Sequence, residues 1–289
     1  MIGLWTNSKK TPHRVRAHSR APLPERLERL ISWFALMIMA VVVVIGCSRI
    51  SPPRNPSSPS VSLTVSAAAS LQDAMKAVQA IYQKDHPTVT LTYNFASSGS
   101  LQQQIEQGAP VDVFFSASPK QMDALEKKGL LLPGSRRNLL KNSIVLIIPQ
   151  GKSGIATFED LKKEAVKNLS IGEPSSVPAG QYGKEVLESL GLWQSVQPKI
   201  VFAKDVRQVL SYVEMANVDA GIVYQTDAKV SKQITIVAVA PESSHSPIIY
   251  PVAVIAESKQ AKIAEEFVNF LASEAAIASF TRYGFLPAS

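Results

Sequence analysis

Four short segments could each bind an anion, because each combines small or hydroxyl-bearing residues with the expected start of a helix. The first N–H groups of a helix have no intrahelical acceptor, and the helix dipole makes that end partly positive. Several such ends directed into one cleft would form an anion site without a cation, and Ser hydroxyls would add donors. The segments are Ala68-Ala69-Ser70-Leu71, Ala96-Ser97-Ser98-Gly99, Val177-Pro178-Ala179-Gly180 and Lys204-Asp205-Val206-Arg207.

Each segment taken alone has a simpler interpretation, because Ser is among the residues that most often cap helices. Ser70 and Ser98 would then stabilise their helices and bind nothing. The sequence pattern does not say whether the four segments meet in space, so both interpretations stay open for each of them.

Catalytic and metal-binding patterns are sparse. After residue 60 the sequence has two histidines, His86 and His245, and neither has a second ligand at metal-site spacing. The Ser-x-x-Lys pattern of a serine nucleophile fails at Ser70, because Asp73 stands three residues later. We therefore expect no catalytic residues, no cofactor and no directly coordinated metal. Two alternatives remain, an exported enzyme that uses Ser70 or Tyr224 and a purely structural lipoprotein.

Composition supports a large folded body. The chain has 289 residues, of which 46% are apolar and 18% charged, which excludes global disorder. One cysteine excludes a disulfide framework. The net charge of +7 comes mostly from residues 1–46, which hold seven Lys/Arg and two Glu. The near-neutral remainder lacks the basic footprint of a nucleic-acid-binding protein.

The first 46 residues are expected to be a secretory signal, with a basic segment followed by the uncharged run 30–48. The stretch Val44-Ile45-Gly46-Cys47 resembles a lipobox, in which the chain is cut before Cys47 and the thiol is lipidated. The alternatives are an uncleaved signal-anchor helix, since nineteen uncharged residues can just span a bilayer, and a buried core helix. Lipidation or an anchor would place the body at the periplasmic or cell-surface face of a membrane.

Residues 47–60, rich in Ser and Pro, are expected to form a semi-rigid tether. Alternating patterns then predict strands and helices in βαβα order, among them a helix over 158–164 and a strand over 248–256. This order favours open α/β sheets with helices on both faces. We expect lobe 1 to hold residues 61–142 and 250–289, lobe 2 to hold residues 143–249, and a ligand cleft to lie between them. Chain crossings near 141–143 and 247–251 would form the hinge.

The stretch from 63 to 287 resembles the periplasmic molybdate-binding proteins of ABC uptake systems, the ModA family. The order and spacing of several segments carry the resemblance. They are Ala-Ala-Ala-Ser-Leu at 67–71, Phe-Ala-Ser-Ser-Gly-Ser-Leu at 95–101, Gly-Ala-Pro-Val-Asp-Val-Phe at 108–114, Val-Pro-Ala-Gly-Gln-Tyr at 177–182, Asp-Val-Arg at 205–207, Gly-Ile-Val-Tyr at 221–224, Tyr-Pro-Val-Ala-Val at 250–254 and Arg-Tyr-Gly-Phe at 282–285.

The resemblance implies a two-lobe periplasmic binding protein fold of type II and a monomer that delivers molybdate, and tungstate, to an ABC permease. It also implies five ligand residues. Ser70 and Ser98 would each give a hydroxyl and a backbone N–H, Ala179 and Val206 a backbone N–H, and Tyr224 its phenol.

Two positions depart from the family pattern. Gly99 stands where Ser is common, which predicts a looser helix start and a shifted affinity, and Ser118 stands where Asp is frequent. Because molybdate carries no proton at neutral pH, a site made only of donors would favour it over hydrogen phosphate. Sulfate rejection would depend on cavity size, so a receptor for another oxyanion is a further alternative.

Overall fold

The computed structural model of the protein describes residues 61–288. The expected signal, Cys47 and the tether lie outside these residues. In the described part, no helix combines the length and the apolar character needed to cross a bilayer.

The strands and helices alternate along most of the described chain. The strands are β1 (Val61–Ala68), β2 (Val89–Ala96), β3 (Val113–Phe115), β4 (Arg137–Lys141), β5 (Ile144–Pro149), β6 (Leu169–Gly172), β7 (Ile200–Ala203), β8 (Ala220–Tyr224), β9 (Ile234–Val239), β10 (Ile249–Val254) and β11 (Leu286–Pro287). The α-helices are α1 (Gln72–Asp85), α2 (Ser98–Glu106), α3 (Pro119–Lys127), α4 (Pro178–Ser189), α5 (Trp193–Val196), α6 (Val206–Glu214), α7 (Gln225–Lys229), α8 (Ala261–Leu271) and α9 (Glu274–Arg282).

The strands form two mixed sheets. The first has the order β11-β4-β10-β3-β1-β2, with β1 parallel to β2 and β3 and with β10 antiparallel to β3 and β4. The second has the order β7-β6-β8-β5-β9, with β6 parallel to β7 and β8 and with β5 antiparallel to β8 and β9. We call the first sheet with α1–α3, α8 and α9 lobe 1, and the second sheet with α4–α7 lobe 2. The predicted α/β class is confirmed.

The chain passes between the lobes twice. The first passage lies between Lys141, the last residue of β4, and Ile144, the first residue of β5. The second lies between Val239, at the end of β9, and Ile249, at the start of β10. The strand predicted over 248–256 is therefore β10, which pairs within the first sheet between β3 and β4.

Burial follows the apolar pattern of each element. All six residues of β5 are buried, as a central strand covered on both faces requires. In α6 the buried positions Val206, Val209, Leu210 and Val213 recur at helical spacing and cover the second sheet. The helix predicted over 158–164 is instead a 3₁₀ turn, Glu159–Lys162. Strand β4 and helix α7 were not predicted.

Candidate functional site

A cavity of about 10 Å³, enough for roughly one water-sized group, lies between the lobes. This volume is far below the roughly 300–1,000 Å³ of pockets for drug-sized ligands, so the space suits nothing larger than a small ion. All five ligand residues implied by the family resemblance line it. The complete lining is Ala68, Ala69, Ser70, Ala96, Ser97, Ser98 and Ala117 from lobe 1, and Val177, Pro178, Ala179, Val206 and Tyr224 from lobe 2.

Ser98 is the first residue of α2 and is fully buried. The cap of this helix is its neighbour Ser97, whose hydroxyl oxygen accepts the N–H of Ser100. The hydroxyl oxygen of Ser98 instead accepts the N–H of Ala117 at 2.9 Å. This hydrogen bond uses a lone pair of the Ser98 oxygen and leaves its hydroxyl proton free to donate. Because Ser98 lines the cavity, that proton can be donated to a ligand there.

Ser70 sits in the 3₁₀ turn Ala69–Leu71 that joins β1 to α1, and it is 3% exposed. No side-chain hydrogen bond caps this turn. The Ser70 hydroxyl lies 3.0 Å from the hydroxyl of Tyr250 on β10. Neither Ser70 nor Ser98 therefore acts as the helix cap that the simpler interpretation required.

Ala179 and Val206 bring backbone N–H groups from lobe 2. They lie in the first turns of α4 and α6, where N–H groups have no intrahelical acceptor. Asp205 caps α6 by accepting the N–H of Gln208 at 2.9 Å. The start of α4 packs so closely on the end of β6 that a Cβ at Gly180 would overlap the carbonyl oxygen of Gly172. This contact holds the Ala179 N–H in a fixed position.

Tyr224 ends β8 with its side chain 1% exposed. Its hydroxyl donates to the carbonyl oxygen of Ala117 across the lobes at 3.4 Å, a long bond that a better acceptor could replace. Burial raises the pKa of Tyr224 well above its usual value. The phenol therefore keeps its proton and can donate to an anion.

The cavity is lined by donors and apolar groups, with no Asp, Glu, Lys or Arg among the lining residues. The nearest structured charges include Arg207, the second residue of α6, which pairs with Asp73 and Asp227 at 2.8 and 2.6 Å. Among residues 61–288 no group of three His, Cys, Asp or Glu side chains is arranged to hold a metal ion. The arrangement can stabilise a small anion by hydrogen bonds alone.

The two departures from the family pattern have structural explanations. The N–H of Gly99 donates to the carbonyl oxygen of Ser176 in lobe 2 at 2.9 Å, and a Cβ at Gly99 would lie 2.5 Å from that oxygen. Gly99 thus permits a close contact between the lobes. Ser118 is the cap of α3, where its hydroxyl accepts the N–H of Lys120. Asp would serve equally well as a cap there.

Sequence reasoning missed the groups behind the cavity. Tyr250, Asn142 and Thr226 form a hydrogen-bonded cluster next to Ser70. Tyr250 and Arg207 both stood inside segments that carry the resemblance, and no role was assigned to either. Asn142 had no signal beyond its place in the predicted hinge.

The fold and the cavity define a two-lobe binding protein with its ligand site in the interlobe cleft. Residues 63–286 match the family described as bacterial extracellular solute-binding protein. A putative ABC transporter substrate-binding lipoprotein of Bacillus subtilis, YvgL, is 46% identical over 88% of this chain and 97% of its own length. The molybdate-binding protein ModA of Haemophilus influenzae is 43% identical over 78% of this chain and 90% of its own.

Among solved structures, the substrate-binding domain of a putative molybdenum ABC transporter from Clostridium difficile is 44% identical and has a TM-score of 0.63. It covers 80% of this chain and 100% of its own. The chain therefore belongs to the ModA family of bacterial extracellular solute-binding proteins. The predicted two-lobe periplasmic binding protein fold is confirmed.

Proposed function

We propose that this protein captures molybdate, and also tungstate, outside the cytoplasm and delivers the anion to an ABC permease. One observation carries the proposal. Ser70, Ser98, Ala179, Val206 and Tyr224 surround one small cavity with no charged side chain among its lining residues. Relatives named for molybdate binding at 43% and 40% identity support the choice of anion.

The ligand site consists of about seven donors, five N–H or O–H groups of the two serines and Tyr224 and two backbone N–H groups. Each hydrogen bond to a charged group contributes roughly 1.5–3 kcal/mol. The sum is reduced by desolvation and lost freedom, so an affinity between micromolar and nanomolar is compatible. Size would exclude sulfate, because backbone donors fixed by contacts such as Gly180 against Gly172 cannot close on a smaller ion.

The lobes would open and close about the two chain passages at 142–143 and 240–248. Lobe 1 supplies Ser70 and Ser98, and lobe 2 supplies Ala179, Val206 and Tyr224. Because neither lobe holds the full donor set, a bound anion would shift the population toward the closed form. The closed form would dock on the permease as a monomer, and we propose no catalytic activity.

We also propose that lipidation of Cys47 holds the protein at the membrane. Supporting this, the Bacillus subtilis relative at 46% identity is named as a lipoprotein. In cells, Cys47→Ser is expected to move the protein from the membrane fraction to the released fraction. Retention of the variant at the membrane would indicate an uncleaved anchor instead.

Calorimetric titration of the purified protein with molybdate, tungstate, sulfate and phosphate tests the ligand assignment. We expect one-to-one binding of molybdate and tungstate, with sulfate and phosphate giving no signal. Sulfate binding of equal strength would change the assignment to a general oxyanion receptor. No heat from any of the four would refute an anion site.

A further inference from the structure

Next to Ser70 lies a chain of hydrogen bonds that is buried at Tyr250 and Thr226 and half-buried at Asn142. The hydroxyl of Tyr250 is 3.0 Å from Ser70 Oγ and 3.1 Å from Asn142 Nδ2. Asn142 Nδ2 is also 2.8 Å from Thr226 Oγ1. Tyr250 is fully buried and is not among the cavity's lining residues, so it acts on a ligand through lining residues that it touches, Ser70 by a hydrogen bond and Tyr224 by a ring contact.

The orientation of the Asn142 amide determines which atom donates in each hydrogen bond of this chain. The N–H of Ser143 donates to Asn142 Oδ1 at 2.9 Å, which orients the amide with its NH₂ group toward Tyr250 and Thr226. An amide NH₂ only donates, so the Tyr250 oxygen must accept. The single proton of Tyr250 is then available for Ser70 Oγ, at 3.0 Å.

Ser70 consequently accepts from Tyr250 and keeps its own proton for the cavity. Ser98 reaches the same state by another route, because its oxygen accepts the backbone N–H of Ala117. Both serines are therefore held as donors toward a ligand, one by a backbone group and one by a side-chain relay. An oxyanion that carries a proton needs an acceptor. Each serine oxygen has a second lone pair, but its own proton points at the ligand, so neither serine is well placed to accept the ligand's proton.

We propose that Tyr250, oriented by Asn142, is a specificity-determining positioning residue that holds Ser70 as a donor and so excludes protonated tetrahedral oxyanions. This inference rests on the proposed function of the cleft. The accepted ligands are fully deprotonated dianions, and the rejected class is hydrogen phosphate and hydrogen arsenate. In the absence of the relay, the Ser70 hydroxyl can rotate and accept a proton from the ligand.

The first test is Tyr250→Phe, which removes one oxygen and keeps the ring that packs edge-on against Tyr224 and Phe285. The matched control is Tyr82→Phe, because Tyr82 is equally buried and its hydroxyl has no hydrogen-bond partner in the described part of the chain. Molybdate and phosphate are titrated at mildly alkaline pH, where molybdate has no proton and phosphate has one. Thermal melts check the fold of each variant.

Because phosphate is expected to give no direct signal with the wild-type protein, its affinity is measured by competition against molybdate at high phosphate concentration. We expect Tyr250→Phe to lower the ratio of molybdate to phosphate affinity by about tenfold or more, the size of one hydrogen bond to a charged group. Tyr82→Phe should leave the ratio unchanged. An equal loss for both anions would mean that Tyr250 has a structural role only, and an unchanged ratio would also overturn the inference. If the wild-type protein itself fails to bind molybdate, the proposed function fails first and the inference with it.

The second test reverses the relay. Asn142→Asp replaces the donor with a carboxylate that can still accept the Ser143 N–H but now accepts the Tyr250 proton. Ser70 is then driven to donate to Tyr250 and to present a lone pair to the cavity. We expect the ratio of phosphate affinity to molybdate affinity to rise by about tenfold or more. The added charge repels both dianions, so a ratio that does not move would contradict the proposed direction of the relay.

Discussion

The guanidinium of Arg207 in lobe 2 is paired with the carboxylate of Asp73 in lobe 1, with Nη1 and Oδ2 2.8 Å apart. The same guanidinium lies 2.6 Å, through Nε, from Oδ1 of the fully buried Asp227 within lobe 2. Asp227 therefore anchors Arg207 in its own lobe, and Asp73 is the partner across the cleft. Because the pair with Asp73 bridges the lobes, opening of the cleft is expected to break it.

Removing the interlobe pair should weaken ligand binding without unfolding either lobe. For Asp73→Asn we expect a loss in molybdate affinity of about fivefold, on the order of 1 kcal/mol for a partly exposed pair. The loss should appear mainly as faster release, measured by stopped-flow, and should shrink at high salt.

The control for this prediction is Asp123→Asn, which breaks a pair with Arg136 inside lobe 1. It should leave affinity and release rate unchanged. If both variants release molybdate at the wild-type rate, the Arg207–Asp73 pair contributes nothing to closure.

Gly99→Ser should interfere with closure at the other rim of the cleft. Its Cβ would meet Ser176 O at 2.5 Å, and ordinary contacts begin at 3.4 Å, so the lobes must separate by more than a few tenths of an ångström or strain the contact. Overpacking of this kind costs roughly 1–3 kcal/mol, which predicts an affinity loss of about tenfold. The melting temperature of the ligand-free protein should change little, because the open form relieves the contact. A tighter-binding Gly99→Ser would show that the close approach is not needed.

The alternation of strands and helices could be predicted because strands such as β5 and β8 are short apolar runs and helices such as α6 place apolar residues every three to four positions. Strand β4 was missed because Arg-Asn-Leu-Leu-Lys neither alternates nor forms a long apolar run. It is a strand because β10 and β11 pair with it on either side, and that pairing depends on residues more than a hundred positions away.

The candidate site also combines features that local sequence predicts with features that depend on distant residues. The helix starts could be located from local sequence, and the resemblance selected four residues among them and added Tyr224. Their convergence is tertiary, since Ser98 meets Ala117 only when lobe 1 has folded, and Tyr224 of lobe 2 reaches Ala117 across the cleft. The pair of Asn142 and Tyr250 spans 108 positions. No local pattern marks an Asn in a hinge as the group that orients a distant tyrosine.

Ser98→Ala separates ligand binding from helix capping. Removing a hydroxyl that faces the anion should lower molybdate affinity by about tenfold or more. The cap of α2 is retained through Ser97, so the loss of stability should be limited to the cost of leaving the Ala117 N–H unpaired.

The control is Ser273→Ala, which removes the cap of α9 far from the cleft. That variant should lose about 1 kcal/mol of unfolding free energy and keep its affinity. Equal affinities for the two variants would remove Ser98 from the ligand set.

Asp227 should give the ligand-free protein a distinct pH dependence. Burial raises the pKa of its carboxyl to about 6, although Arg207 acts in the opposite direction. The unfolded chain releases this proton near the ordinary value of 3.8, so between about pH 4 and 6 the folded state binds more protons than the unfolded state. The free energy of unfolding must then fall as the pH rises through this window.

The comparison is with Asp227→Asn, whose side chain cannot ionise. Relative to this variant, the wild-type protein should lose on the order of 3 kcal/mol of unfolding free energy between pH 4 and 6. Above about pH 6 the two curves of unfolding free energy against pH should be parallel. Urea titrations of both proteins across this range measure the difference, and parallel curves throughout would show that Asp227 ionises at its ordinary pKa in the folded protein.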